Sequence, residues 1–519
     1  MPRTLQLPPT EELSLILKRR LHSRLQHQSD EEVFLYLADT IYTEQRRLNK
    51  DDHDAHPKYI QALQTASRCA RGSRYEMEHA LNLIVNSYTH EIHNHFSTKT
   101  YRLASTVLPQ ALTRLLTASQ PTTLFGGEFD PASKITVQGP TDVLRKLSKT
   151  HTLIYTPTHL SNLDSPLIGY ALSEIELPPV IYGAGLNLFS NPVMAFFMSR
   201  LGAYTVDRRK KNQLYKDVLK DYSVEAIVRG CHSLFYPGGT RSRSGKIESH
   251  LKKGLLGTAL QAWQENLMNG VQRDVLIVPC TLSYSLTLEA ETLISDSLAE
   301  QGKSRYIISD DEFSDTKTIA NFTRRILNLD SSVYVRFGDP LDLFGNTVDE
   351  KGVSLDPNGI CVDRKDYICD RNGNVQLDAQ RDFMYTRHLT TKITEVYKKD
   401  NTALPTHVVA FAVWKLLQQK NPLLDEVQLA LLESEDRCLD KNMVLQKIKH
   451  VFEQITMLRD QGKIHCNLPK SPERILDIAI QRFHSFHKKN AVALKDSMVE
   501  VDGELPLYYA NRLMGYGLV

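Results

Sequence analysis

His159-Leu160-Ser161-Asn162-Leu163-Asp164 sets an imidazole and a carboxylate five positions apart, directly after the β-rich run Thr152–Tyr155. On a continuous helix that separation turns the two side chains well apart. With His159 on a loop and Ser161 or Asn162 capping the helix that follows, Asp164 falls in the first helical turn. The chain can then fold back so that the carboxylate reaches the ring. A carboxylate that fixes the tautomer and orientation of a histidine makes it a competent general base, able to take a proton from a hydroxyl as it attacks an acyl carbonyl. The motif is short. With 18 His in the chain, about one H-x4-D is expected by chance, and a loop His beside a helix-start Asp is also an ordinary dipole contact. Its meaning rests on its surroundings.

Three further blocks follow in order. Gly202-Ala203-Tyr204-Thr205-Val206-Asp207-Arg208-Arg209-Lys210-Lys211 is a glycine, a short strand and a run of basic residues. Phe235-Tyr236-Pro237-Gly238-Gly239-Thr240-Arg241-Ser242-Arg243-Ser244-Gly245-Lys246 carries a strand into a Gly-rich turn with cations and hydroxyls. Both have what an anion site needs, backbone N–H groups freed by glycines and guanidinium forks for phosphate, or else they are solvated basic turns. Neither has Walker spacing, so nucleotide binding is not implied. Val275–Tyr284 reads as a buried strand ended by Pro279. His90-Glu91-Ile92-His93-Asn94-His95 falls short of H-E-x-x-H because Asn94 stands in the last place, and it reads as a helix end with exposed His.

The elements that must position these blocks follow from periodicity. At 519 residues the chain has room for about three structural units. Residues 1–120 read as an N-terminal helical domain, a small bundle, with a capping box at Ser29 and Glu32 and helical spacing in Leu81/Ile84/Val85/Tyr88/Ile92. Tyr101–Thr117 carries an apolar stripe flanked by Lys99, Arg102 and Arg114. It fits a bundle helix kinked at Pro109 or a membrane-interface helix. Residues 121–400 alternate short strands with helices, the pattern of an α/β domain with a mixed, largely parallel sheet flanked by helices. Within it, 346–385 is a turn-rich insert. Asp370/Asn372/Asn374 mimic the opening of a calcium loop, but its glycine and its closing Glu are misplaced. Residues 401–519 return to helical periodicity.

Composition narrows the classes. Lys+Arg at 63 against Asp+Glu at 61 leaves a formal charge of +2, without the basic excess of a nucleic-acid binder. A hydrophobic fraction of 41% with 24% charged residues is that of an ordinary globular protein. The 7 Cys are scattered with no CxxC pair, so neither a zinc site nor a disulfide framework is indicated, and a reducing cytoplasmic setting is expected. No apolar run reaches the length of a membrane span, and the first residues lack the apolar core of a secretory signal.

As an ordered set, the four blocks resemble the glycerolipid acyltransferase superfamily, with its H-x4-D, G-x-x-x-x-x-R, E-G-x-R-S and V-P motifs. The likeness is closest to bacterial glycerol-3-phosphate acyltransferases. Ala184-Gly185-Leu186-Asn187-Leu188, Arg241–Lys246, Arg336–Leu341 and Tyr508-Tyr509-Ala510-Asn511-Arg512-Leu513 look like further runs of that family. The resemblance is dense over 150–345 and thinner in both flanks. It implies His159 as general base and Asp164 as its orienting partner. It implies Arg208, Arg241 and Arg243 as phosphate holders, with Gly239 and Ser242 shaping the turn, Lys246 and Arg209 as secondary candidates, and Pro279 shaping the cleft. The implied reaction moves a fatty acyl group from acyl-CoA or acyl carrier protein to the sn-1 hydroxyl of glycerol 3-phosphate. No metal or redox cofactor is implied, and the expected setting is the inner face of the cell membrane, bound peripherally. Two positions depart from the pattern. Gly238 stands where the family has Glu, and Val206-Asp207-Arg208 stands where glycerol-3-phosphate acyltransferases often have I-R-R. The second pattern is shared with lysophosphatidate acyltransferases. That leaves lysophosphatidate or dihydroxyacetone phosphate open as acceptor, and Gly238 leaves open a non-catalytic lipid- or phosphate-binding relative.

Overall fold

Amphipathic spacing makes the first part of the chain helical: α1 (Thr10–Leu25), α2 (Asp30–Asp51), α3 (Pro57–Cys69) and α4 (Arg74–Ile92). The computed structural model describes residues 7–51, 57–101, 135–186, 198–301, 332–487 and 490–519. The stripe at 103–116 and the Asn187-Leu188 pair lie outside these residues. Helix α2 starts on the expected capping box. Ser29 N donates to Glu32 Oε2 at 2.7 Å, and Glu32 N donates to Ser29 Oγ at 3.2 Å. The apolar faces of α1 to α4 share one core, which also takes in Tyr204, Leu214, Tyr215 and Tyr222 from the segment beyond.

The sheet domain is built from β1 (Ile135–Gln138), α5 (Thr141–Thr150), β2 (Thr152–Pro157), α6 (Asp164–Glu174), β3 (Ile181–Gly185), β4 (Ala203–Val206), α7 (Gln213–Val228), β5 (Ser233–Leu234), α8 (Gly254–Met268), β6 (Val275–Tyr284), α9 (Ala290–Gln301) and β7 (Val333–Phe337). The strand order is β1-β7-β6-β2-β5-β3-β4. Among the described residues, only the β6–β7 pair in this sheet is antiparallel. Strands β2 to β6 therefore run the same way, and their carboxyl ends share one edge. The loops leaving β2, β4 and β5 at that edge carry the H-x4-D, basic and Gly-rich blocks. Open α/β sheets bind ligands at this edge.

Strand β6 corrects the expectation that Pro279 ends it. Pairing with β2 runs from Val275 to Cys280 and pairing with β7 from Cys280 to Tyr284, so the proline is buried in mid-strand. It is tolerated where the strand changes partner, and its carbonyl accepts Gly338 N–H at 2.8 Å.

The insert forms an antiparallel sheet of β8 (Thr347–Val348), β9 (Ser354–Leu355) and β10 (Cys361–Val362). Asp342, Asp349, Asp356 and Asp370 each accept, at Oδ1, the N–H groups two and four residues on. Each turn closes on a glycine with φ between +80° and +89° (Gly345, Gly352, Gly359 and Gly373). The carboxylate of Asp370 is thus engaged by its own turn.

The remainder comprises α10 (Ala379–Asp400), β11 (Thr402–Ala403), α11 (Pro405–Lys420), α12 (Glu426–Ala430), β12 (Cys438–Asp440), α13 (Lys441–Asp460), β13 (His465–Cys466), α14 (Pro472–Phe486), β14 (Val492–Lys495), β15 (Met498–Val501) and α15 (Leu505–Ala510). Helix α11 is buried along nearly its whole length and is central to a core shared with α13, α14 and α15. The region 401–519 is mainly helical, as expected, and adds short strands: β12, β15 and β14 form an antiparallel sheet and β11 pairs with β13. Strands of two to four residues are too short to register as periodicity. No helix among the described residues is long and apolar enough to cross a membrane.

His407 on α11 joins this region to the sheet, with Nε2 donating to the Tyr284 carbonyl at 3.0 Å. Burial, with the nearby Arg512 charge, holds its pKa down to about 3. Below about pH 6.5 the unfolded chain takes up a proton that the folded chain refuses, so stability is whole above that pH and drains away toward pH 3. One such histidine costs up to about 1.4 kcal/mol per pH unit in that window. The unfolding midpoint is expected to fall between pH 7 and pH 5, and less steeply in His407→Gln; identical slopes would remove His407 as a cause.

Candidate active site

Asp164 opens helix α6, and its carboxylate is fully buried. A buried charge must find donors, and four converge on it. Oδ2 accepts His159 Nδ1 at 2.8 Å, Leu160 N at 2.6 Å and Ser161 N at 2.9 Å. The Tyr284 hydroxyl donates to Oδ1. Burial pushes the Tyr284 pKa well above its ordinary value, so the hydroxyl keeps its proton. The cap differs from the expectation. Leu163 is the N-cap and, having no polar side-chain atom, makes no side-chain cap bond, while the Asp164 carboxylate turns back into the loop.

This arrangement assigns the Nδ1 proton and leaves His159 Nε2 with its lone pair. The His159 side chain is 14% exposed, so it is not sealed off from solvent. One ring face is covered by Tyr236, stacked at 4.1 Å between centroids and 24° between planes, with its hydroxyl 2.9 Å from Ser165 Oγ. The His159 backbone is held at both ends. Its N–H donates to Glu248 Oε1 at 2.6 Å, and its carbonyl accepts Ser242 N at 2.7 Å.

The Gly-rich loop is therefore bonded directly to the H-x4-D loop. Gly239 has φ +81°, a left-handed conformation that favours glycine. Arg241 Nη1 lies 3.2 Å from Glu289 Oε1, and Glu289 also accepts Ser161 Oγ at 2.8 Å and Asn162 N at 3.0 Å. One buried glutamate thus ties the loop arginine to the residues between His159 and Asp164. Arg243 turns instead to Glu300 on α9 at 3.0 Å, and Lys246 to Glu426 on α12 at 3.9 Å. Ser242 Oγ donates to the Lys246 carbonyl at 2.8 Å and closes the turn. Pro279 sits in β6 opposite Thr156 of β2, so it reaches the loop only through the sheet.

The basic run after β4 divides by role. Arg209 Nε lies 3.0 Å from Asp207 Oδ1. Lys210 is buried, paired with Glu91 and boxed by Tyr59, Tyr88 and Tyr215 at 5.0 to 5.2 Å from the ring centroids. Arg208 is exposed, and among the described residues no hydrogen bond or ion pair engages its guanidinium. The helix-end cluster 90–95 is thereby explained, since Glu91 serves Lys210 and His93 meets His95 and Tyr222 edge to face. Glu248, Glu289 and Lys252 lie in none of the four blocks, and Tyr236 and Tyr284 lie within the Gly-rich and Val-Pro blocks without a role that spacing alone could give them.

Residues 134–283 match the Acyltransferase family model, so the chain carries an Acyltransferase domain. The chain is 32% identical over 197 residues, 38% of its length and 22% of the relative's, to a protein named glycerol-3-phosphate acyltransferase from Pseudoalteromonas translucida (strain TAC 125). It is 31% identical over 204 residues to proteins of the same name from Haemophilus ducreyi (strain 35000HP / ATCC 700724) and Pasteurella multocida (strain Pm70), 39% of this chain and 23% of each relative. The chain thus spans under a quarter of the length of these relatives.

Removing the Tyr284 hydroxyl leaves a buried carboxylate oxygen short of a donor. Tyr284→Phe is expected to destabilise the fold by about 1.5–3 kcal/mol, read as a lower urea midpoint. An unshifted midpoint would show that Asp164 does not depend on this donor.

Proposed function

We propose that the chain is a glycerol-3-phosphate O-acyltransferase, moving a fatty acyl group from an acyl thioester to the sn-1 hydroxyl of glycerol 3-phosphate and giving lysophosphatidate for phospholipid synthesis. The observation that carries this reading is the His159–Asp164 pair bonded to the Gly-rich cationic loop inside an Acyltransferase domain. The name of the relatives supports the acceptor.

In this reading His159 Nε2 takes the proton of the acceptor hydroxyl as its oxygen attacks the thioester carbonyl. The C–O bond forms, the carbonyl becomes a tetrahedral oxyanion, and the new imidazolium is stabilised by Asp164. Collapse breaks the C–S bond, and the imidazolium returns its proton to the departing thiolate. No acyl-enzyme and no metal or redox cofactor enters the scheme. Arg208 and Arg241 hold the acceptor phosphate from two loops at the same sheet edge. Arg243, Arg209 and Lys246 contribute once they exchange their carboxylate partners for substrate, while Gly239 and Ser242 hold the turn and Pro279 sets the strand beneath the cleft. The donor is acyl-CoA or acyl carrier protein. The product's long chain favours a membrane surface, so the protein works in the cytoplasm, peripherally bound to the inner face of the cell membrane, and nucleic acid is not a partner.

Thiol release from palmitoyl-CoA tests the reading. Release is expected to depend on glycerol 3-phosphate and to fall at least about 100-fold in His159→Ala. Arg241→Ala is expected mainly to raise KM for glycerol 3-phosphate. Equal release from wild type and His159→Ala would overturn the reading. Faster release with lysophosphatidate or dihydroxyacetone phosphate would reassign the acceptor. Phosphate-ester binding without release from any thioester would mark a non-catalytic relative.

A further inference from the structure

Among the described residues Glu248 is the one carboxylate bonded to the backbone of His159, and the mechanism above gives it no part. Its Oε1 accepts the His159 N–H at 2.6 Å, while Oε2 is buried without a hydrogen-bond partner. Burial raises its pKa, opposed by the His159 N–H bond and by the charges of Arg512 and His159. Burying a carboxylate this way is costly, and packing alone would be met as well by an apolar side chain.

The local geometry suggests what the carboxylate does. A Cβ built on Gly238 would lie 3.3 Å from Glu248 Cγ and 3.6 Å from Glu248 Oε1. A glutamate spans that last distance with the three bonds between its own Cβ and Oε. Gly238 is not among the glycines at positive φ, so its backbone accepts a side chain. Two positions of this loop, 238 and 248, can therefore deliver a carboxylate to the same point beside His159, and only one can be filled at a time. The C-terminal segment packs on the loop between these two positions. Asn511 Nδ2 donates to the Ser244 carbonyl at 2.8 Å, and Gly245, at φ +77°, lies so close to Tyr508 that a Cβ would meet the Tyr508 carbonyl oxygen at 2.2 Å. The stretch from 242 to 248 thus meets the C-terminal segment at 244–245 and the His159 backbone through Ser242 and Glu248.

We propose that Glu248 is a positioning residue for His159, anchoring its backbone N–H from the space above Gly238, and that a glutamate at 238 can take over this task when 248 gives it up. The proposal rests on the acyltransferase reading for its kinetic consequence, but its structural content is independent of that reading. With the anchor lost, the His159 backbone keeps only its carbonyl bond from Ser242 and the ring its contacts with Asp164 and Tyr236, and a small displacement of a base costs about 100-fold in rate.

The experiment compares wild type, Glu248→Ala, Glu248→Gln and the double variant Gly238→Glu/Glu248→Ala in palmitoyl-CoA thiol release with glycerol 3-phosphate. Glu248→Ala is expected to lose about 100-fold in kcat with KM for glycerol 3-phosphate little changed. Glu248→Gln, whose amide oxygen still accepts the N–H, is expected to stay within about tenfold of wild type. The double variant is expected to recover most of the loss. Hydrogen exchange of the His159 amide, followed by mass spectrometry on the peptide that contains it, is read on the same proteins and needs no turnover. The amide is expected to be protected in wild type, Glu248→Gln and the double variant, and fast in Glu248→Ala. Wild-type kcat in Glu248→Ala, a double variant no better than Glu248→Ala, or unchanged amide protection in Glu248→Ala each overturns the proposal. Absent turnover in wild type would instead count against the acyltransferase reading, with the exchange pattern still deciding the role of Glu248.

Discussion

A fully buried carboxylate is the constraint from which the rest of the site follows. Charge removed from water must be compensated by hydrogen bonds and partners, and Asp164 obtains them from two separate elements. Three donors come from the loop it closes, which forces residues 159–161 to wrap around one oxygen. The fourth, Tyr284, comes from the far end of β6, so the loop is seated only where that strand runs on past Pro279. His159 gains its tautomer and orientation as a consequence of a folding requirement.

The extended end of β6 is in turn held by the C-terminal region. His407 takes the Tyr284 carbonyl, Asn401 engages Ser283, and Arg512 donates to the Leu282 carbonyl at 3.2 Å. Residues far outside the sheet domain thus support a donor to Asp164. The N-terminal helices do the same for the basic loop. Lys210, caged by three tyrosines and Glu91, pins the chain two residues beyond Arg208 and leaves that arginine at the surface. Arg20 and Arg24 of α1 add ion pairs to Glu225 and Asp221 of α7, which follows the same loop. The sheet supplies the edge, and both flanks bind the loops that leave it.

Some of this was legible in the residues. The alternation of short strands with helices gave the largely parallel sheet, and Ser29 with Glu32 marked a helix start correctly. Elsewhere a local rule met a tertiary override. Pro279 reads as a strand end because proline lacks an N–H, yet β6 changes partner there and absorbs it. The insert reads as tight turns joining short strands, and the even seven-residue spacing of Asp342, Asp349 and Asp356 matches the turns and strands that the structure shows there.

By itself the sequence determined what depends on near neighbours: helices from apolar spacing, turns from Asp and Gly, and the reach of Asp164 back to His159 across a five-residue loop. Only the tertiary structure decided which distant residues complete that pair. Glu248 lies 89 positions from His159, Tyr284 lies 120 from Asp164, and Glu289 lies 128 from Ser161. None belongs to a periodic pattern that points at its partner. Their roles arise because burying a charge obliges the fold to bring a compensating group from wherever the chain passes, and that group is set by packing in three dimensions rather than by spacing along the chain.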